Sequence, residues 1–297
     1  MGAEQQKTTP ECTFRRKDLI TVRIITDSSS LLTPQEGQSL GVTVVPACTI
    51  IDGQVYRDHE DMTAETFLQR IEAGAVPTSS QPSIGEVLEV YQSSEEETLV
   101  LPIGDGLSGT YQNMEGARNL LENAQPIHVM DTRTLGGPLW YLVNKAVRLR
   151  EEGLGLERIK ESLRQSIATS ASFVIPQDFS FLRRSGRLTP VAAKLGTILK
   201  IVPVLTQTQD MKRITIHTIK RSPRKAVAAL IERFRELGVN EKFLITVSHG
   251  GVKEEAAAVL EQLRQQFSGA MFKLFQLPPA LICHGGPGCI VVQTIML

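Results

Sequence analysis

Leu99-Val100-Leu101-Pro102-Ile103-Gly104-Asp105-Gly106-Leu107-Ser108-Gly109-Thr110 is an apolar run that stops in a glycine-rich segment. A short apolar stretch bounded by turn formers reads as a buried strand, and the residues from Thr110 to Asn123 read as the helix after it. Ile127-His128-Val129-Met130 is a further strand, ending in Asp131. The same unit recurs upstream. Val22-Arg23-Ile24-Ile25-Thr26 is a strand stopped by Asp27-Ser28-Ser29-Ser30, and Val42-Thr43-Val44-Val45-Pro46 is a second. Thr63 to Ala73 is a helix with Thr63 as its N-cap, and Phe67, Leu68 and Ile71 share one face. A third helix spans Ile84 to Gln92, and two more run from about Leu135 to Glu152 and from Leu156 to Ala168. Strand, loop and helix in repetition is the pattern of a parallel sheet with helices on both faces.

Past residue 168 the pattern changes. Ser172–Ile175 is a strand, and a basic stretch, Arg183-Arg184-Ser185-Gly186-Arg187, follows. Leu195–Lys200 reads as helical. Val204–Thr206 and Ile214–Ile219 alternate as paired strands, with Gln209-Asp210 as the turn between them. A helix at Lys225–Leu237, a strand at Phe243–Val247, a helix at Glu254–Phe267 and terminal strands close the chain. The expected organisation is a flexible N-terminal extension (1–20), an N-terminal α/β domain (21–168) with a Rossmann-like parallel sheet, and a C-terminal α/β domain (169–297) with a mixed sheet.

The chain has 297 residues, enough for one large domain or two ordinary ones each with its own core, and its 32 basic residues balance 32 acidic ones. That balance argues against a nucleic-acid footprint, and a 5% aromatic content argues against a base-stacking platform. Cys12, Cys48, Cys283 and Cys289 form no C-x-x-C pair and read as reduced thiols rather than a zinc site. No apolar run approaches the roughly 18 residues of a membrane span, and no signal-peptide core follows Met1. A soluble, cytoplasmic protein without stable membrane insertion is expected.

Ligands of open α/β sheets bind at the carboxyl ends of their strands. Three segments read as such loops: Thr78-Ser79-Ser80-Gln81, Gly104 to Thr110, and Cys283-His284-Gly285-Gly286-Pro287-Gly288. Gly104-x-Gly106-x-x-Gly109, with Asp131 about 20 residues further on, fits the dinucleotide fingerprint. A pyrophosphate, another anion such as a carboxylate, or a tight structural turn all suit such a loop. The Ser108 hydroxyl at its tip favours a small anionic head. Ser108 with His284 or His249 is also a candidate nucleophile pair, although Gly106-Leu107-Ser108-Gly109-Thr110 lacks the last glycine of a nucleophile elbow. His128 reads as a core histidine, and His59 and His217 as solvent-facing. Arg183–Arg187 and Lys220–Arg224 read as solvated basic faces or docking surfaces.

Several motifs in order along the chain resemble the DegV family. They are Thr26-Asp27-Ser28-Ser29, Ser79-Ser80-Gln81-Pro82-Ser83, Leu107-Ser108-Gly109-Thr110-Tyr111, Asp131-Thr132-Arg133, Ser185-Gly186-Arg187-Leu188 and His284-x-Gly286-Pro287-Gly288. The family's characterised members are the fatty-acid-binding subunits (FakB) of bacterial fatty acid kinase. The resemblance implies a non-catalytic carrier with a long-chain fatty acid as ligand and no cofactor. It places the carboxylate on Ser79, Ser80, Ser108, Gly109 and His284, and the acyl tail in a tunnel between the two domains. It implies a kinase catalytic subunit as partner, contacted through Arg221, which makes an acyl phosphate for phospholipid synthesis. The alternative function is a dinucleotide-dependent oxidoreductase using Gly104, Gly106 and Gly109. The chain departs from the family where Ile-Lys-Pro becomes Ile201-Val202-Pro203, and where Leu31 or Leu32 replaces a second aspartate.

Overall fold

The computed structural model describes residues 22–194 and 201–297. The N-terminal extension with Cys12, and the helix expected at 195–200, lie outside the described residues. In chain order the first half holds β1 (Arg23–Asp27), α1 (Pro34–Ser39), β2 (Val42–Val45), β3 (Cys48–Ile51), β4 (Gln54–Arg57), α2 (Ala64–Glu72), β5 (Thr78–Ser80), α3 (Ile84–Gln92), β6 (Thr98–Leu101), α4 (Thr110–Asn119), β7 (Ile127–Val129), α5 (Gly137–Glu151) and α6 (Leu156–Ile167). The second holds β8 (Ala171–Ile175), α7 (Phe179–Ser185), α8 (Pro190–Ala193), β9 (Val202–Gln207), β10 (Ile214–Lys220), α9 (Pro223–Glu236), β11 (Phe243–His249), α10 (Lys253–Gln266), β12 (Met271–Gln276), α11 (Pro279–Gly285) and β13 (Ile290–Met296).

The expected parallel sheet is present, in the order β2-β1-β6-β7. Its central strands are buried on both faces, which is why Ile24, Ile25, Leu99, Val100 and Leu101 read as continuous apolar runs. The second sheet is mixed, in the order β10-β9-β8-β13-β11-β12, with only β11 and β12 parallel. Helix α5 packs on β1 and β6 of one sheet and on β11 and β13 of the other. One apolar cluster therefore joins Leu139, Leu142 and Ala146 to both Leu99 and Leu244. The two sheets share this core.

Three findings differ from the expected pattern. A third sheet, β4-β3-β5, is antiparallel and interrupts the strand–helix alternation. Asp52-Gly53 turns its hairpin, with φ of +51° and +79°, the left-handed pair such a turn requires. Thr78–Ser80 is thus the edge strand of this small sheet, not a loop after a parallel strand. Likewise Cys283, His284 and Gly285 form the last turn of α11. Of the three expected loops, only Gly104–Thr110 follows a parallel strand. Finally, α4 ends at Asn119, four residues early, where Leu120 and Leu121 bond back to Ala117 and Arg118 in tight i→i−3 turns.

Candidate functional site

A mostly apolar cavity lies between the two sheets, with an empty space of ≈ 1160 Å³ including its mouth. Ile103 and Leu107 line it from the first half, and Phe173, Val174, Leu205 and Val291 from the second. Ser79, Ser80, Gln81, Ser108, Gly109, Thr110, Arg187 and His284 add polar groups to its wall.

Each polar group is held by a different element. Ser79 and Ser80 stand on β5, opposite Thr49 and Cys48 of β3. α11 packs on β3 and β5 and delivers His284, so that its Nε2 lies 2.6 Å from Ser79 Oγ. These two residues are 205 positions apart. The N-terminus of α11 is tied down separately. The Ala280 N–H donates to Asp58 Oδ1 at 3.1 Å, Ser28 Oγ donates to Asp58 Oδ2 at 2.9 Å, and the Ala47 N–H donates to Ser28 Oγ at 3.0 Å. Burial pushes the Asp58 carboxyl up to about 7. Asp27 is also buried, which raises its carboxyl, and it accepts the N–H groups of Ile103 at 2.7 Å and Ser29 at 2.8 Å. The Thr26–Ser29 motif is thus a brace that sets β6 and α11 around the cavity.

The Gly104–Thr110 loop supplies the opposite group of donors. Ser108 Oγ lies 2.9 Å from Thr110 Oγ1 and accepts the Thr110 N–H at 3.3 Å. Gly109 is the N-cap of α4 and caps it with no side chain, so beyond the Thr110 N–H, which reaches Ser108 Oγ at 3.3 Å, the N–H groups at this helix start keep their capacity for an anion. Arg187 brings positive charge to the same cavity, its Nε donating to the Leu107 carbonyl at 3.3 Å. Burial, and secondarily the Arg187 charge, push the His284 imidazole down to about 4. His284 is therefore neutral near pH 7 and acts as a hydrogen-bonding group, with the fixed charge on Arg187.

All five residues expected at the carboxylate site, Ser79, Ser80, Ser108, Gly109 and His284, line this one cavity. Arg221 does not; it is exposed in the turn between β10 and α9. Arg187, read from sequence as part of a solvated basic face or docking surface, lines the cavity, whereas Arg183 and Arg184 are exposed. Its signal was Gly186, which ends α7 with φ +71° and turns the next residue inward. His284 pairs with Ser79, not with Ser108, and His249 is buried outside the lining. Among the described residues no carboxylate pairs with the other ring nitrogen of His284, so the expected nucleophile pair is not assembled as a triad.

The dinucleotide reading is corrected by the loop's own packing. A Cβ on Gly104 would stand 2.7 Å from the Arg133–Thr134 backbone, and one on Gly106 2.6 Å from Lys212 Cβ. A Cβ on Gly109 would stand 2.2 Å from Gln81 Oε1. The glycines serve contacts within the protein rather than a pyrophosphate. Asp131 Oδ1 already accepts the N–H groups of Asp105 at 3.0 Å and Arg133 at 2.9 Å, so it orders the loop instead of a ribose.

Two sheets enclosing an apolar cavity with a cluster of hydroxyls, an imidazole and a helix N-terminus make a site whose chemistry suits an amphiphile with an anionic head. A family model described as "Uncharacterised protein, DegV family" matches residues 21–296, and the chain belongs to the DegV family. A DegV domain-containing protein of Deinococcus radiodurans is 32% identical over 282 residues, covering 92% of this chain and 98% of its own. One from Streptococcus pneumoniae is 29% identical over 277 residues, covering 92% and 98%. A solved DegV family protein from Thermus thermophilus, described for its fatty acid binding, superposes with a TM-score of 0.83 at 29% identity, over 93% of this chain and 100% of that one. Among the described residues no helix is long and apolar enough to cross a membrane.

Proposed function

We propose that this protein binds a long-chain fatty acid in the cavity and presents its carboxylate to a partner kinase. The observation that carries the reading is the cavity itself: apolar on most of its wall, with Ser79, His284 and Ser108 converging from three separate elements. A buried carboxylate needs several donors, because leaving it unpaired in an apolar site is very costly. Ser79, Ser80, Ser108, the Gly109–Thr110 backbone and His284 supply them, and Arg187 supplies the balancing charge. The tail contributes about 0.8 kcal/mol for each buried CH₂, so a long chain is favoured over a short one. The Thermus thermophilus relative, described as fatty acid binding, supports the same ligand.

In this reading the chain is a carrier and performs no catalysis. A kinase catalytic subunit supplies ATP, docks near Arg221, and converts the carboxylate to an acyl phosphate for phospholipid synthesis. The test is solvent extraction of the purified protein followed by mass spectrometry. A long-chain fatty acid at about one per chain, depleted in Ser108→Ala, is the expected result. An extract with no lipid, from protein that also takes up no added fatty acid, overturns the reading.

A further inference from the structure

Four polar residues of the six-stranded sheet line the cavity: Thr206, whose Oγ1 donates to the Ser172 carbonyl at 2.9 Å, and three that form a row, Gln207 at the end of β9, Ser172 near the start of β8, and Gln293 in β13. Their register sets them side by side. Gln293 pairs with Ser172, and Phe173 pairs with Thr206, which brings Ser172 opposite Gln207. Directly opposed residues of antiparallel strands share a face. Two positions along, the same face carries Val291, Val174 and Leu205.

The polar groups of this row are unevenly matched. Gln293 is fully engaged: its Oε1 accepts the Gly137 N–H at 3.0 Å, and its Nε2 donates to the Leu135 carbonyl and to Ser172 Oγ, both at 2.8 Å. Gln207 Nε2 donates to the carbonyls of Arg133 at 3.0 Å and Met211 at 3.3 Å. Both partners only accept, so the amide has one workable orientation. Its Oε1 is then left buried with no donor. Ser172 Oγ accepts from Gln293, and among the described residues its own proton goes to no acceptor. An unmatched acceptor beside an unmatched hydroxyl calls for one ligand group that donates and accepts at once.

We infer that the preferred ligand is a long-chain fatty acid carrying a hydroxyl on its acyl chain, which donates to Gln207 Oε1 and accepts from Ser172 Oγ. This rests on the fatty-acid reading above and narrows it. A keto group accepts but has no proton for Gln207, and a plain alkyl chain leaves both groups unmet.

The test is competition against a fluorescent fatty acid on the lipid-stripped full chain. The competitors are stearic acid, a positional series of hydroxystearic acids and the matching oxostearic acids. One hydroxy isomer binds about tenfold tighter than stearate, its oxo counterpart shows no such gain, and Gln207→Leu removes the preference. Stearate binding as tightly as every hydroxystearate overturns the inference, and needs no variant to be seen. If none of the acids binds, the fatty-acid reading itself has failed, and this inference with it.

Discussion

The Ser79–His284 contact predicts a specific acid sensitivity. His284 is held at about 4 against an ordinary 6.5. Between those values the unfolded chain carries a proton on this ring and the folded chain does not. Stability therefore rises with pH across this window: the contribution is present in full above 6.5 and is lost as acid approaches about 4. At about 1.4 kcal/mol for each pH unit the whole effect is about 3 kcal/mol. His284→Gln keeps a hydrogen-bonding group beside Ser79 but does not titrate. Urea unfolding of lipid-stripped wild type and variant, at about pH 7.5 and about pH 4.5, reads the difference. Asp58, Asp27 and the surface carboxylates titrate in both proteins and drop out of the comparison. Wild type should lose roughly 3 kcal/mol more than the variant on acidification. Parallel losses would refute the argument that this imidazole is buried and neutral.

Asp58 has the opposite sign. Its contribution is present below 3.8 and is lost as pH rises toward about 7, so Asp58→Asn should gain on wild type across that interval in the same urea series. Ser79→Ala and Ser108→Ala should each weaken fatty-acid binding by roughly tenfold or more in a displacement titration, as expected for one hydrogen bond to a charged group. In Gly137→Ala the new Cβ would stand 1.9 Å from Thr246 Oγ1 and 2.5 Å from Thr246 Cβ, where α5 meets β11. Thermal melts should show a loss of about 5 °C or more. Arg221→Ala should leave fatty-acid affinity unchanged while lowering acyl phosphate formation with the proposed kinase subunit.

The parallel sheet was legible because strands buried on both faces leave unbroken apolar runs, as in Ile24-Ile25 and Leu99–Leu101. The small antiparallel sheet was not, although Asp52-Gly53 announces its turn, because β3 and β4 are only four residues each and show too little alternation. α11 escaped for a related reason: it is seven residues long and ends in a glycine, so its packing on β3 and β5 makes it a helix rather than any periodicity. Motif resemblance named Ser79 and His284 separately. Their 2.6 Å contact depends on tertiary packing alone, whereas the turn at Arg187 had a local signal in Gly186. The glycine fingerprint misled because close backbone approach is demanded equally by a pyrophosphate and by the Arg133–Thr134 peptide.

The most direct test of the account is carbon-13 NMR of carboxyl-labelled palmitic acid bound to the protein, followed from neutral pH into acid. A carboxylate gripped by Ser79, Ser108, the Gly109–Thr110 backbone and His284 should stay ionised, its resonance unmoved through the ordinary carboxylic acid range until the complex itself gives way. A bound resonance that titrates like that of a solvent-exposed fatty acid would contradict the central claim, because it would put the head in water and leave the polar cluster unused.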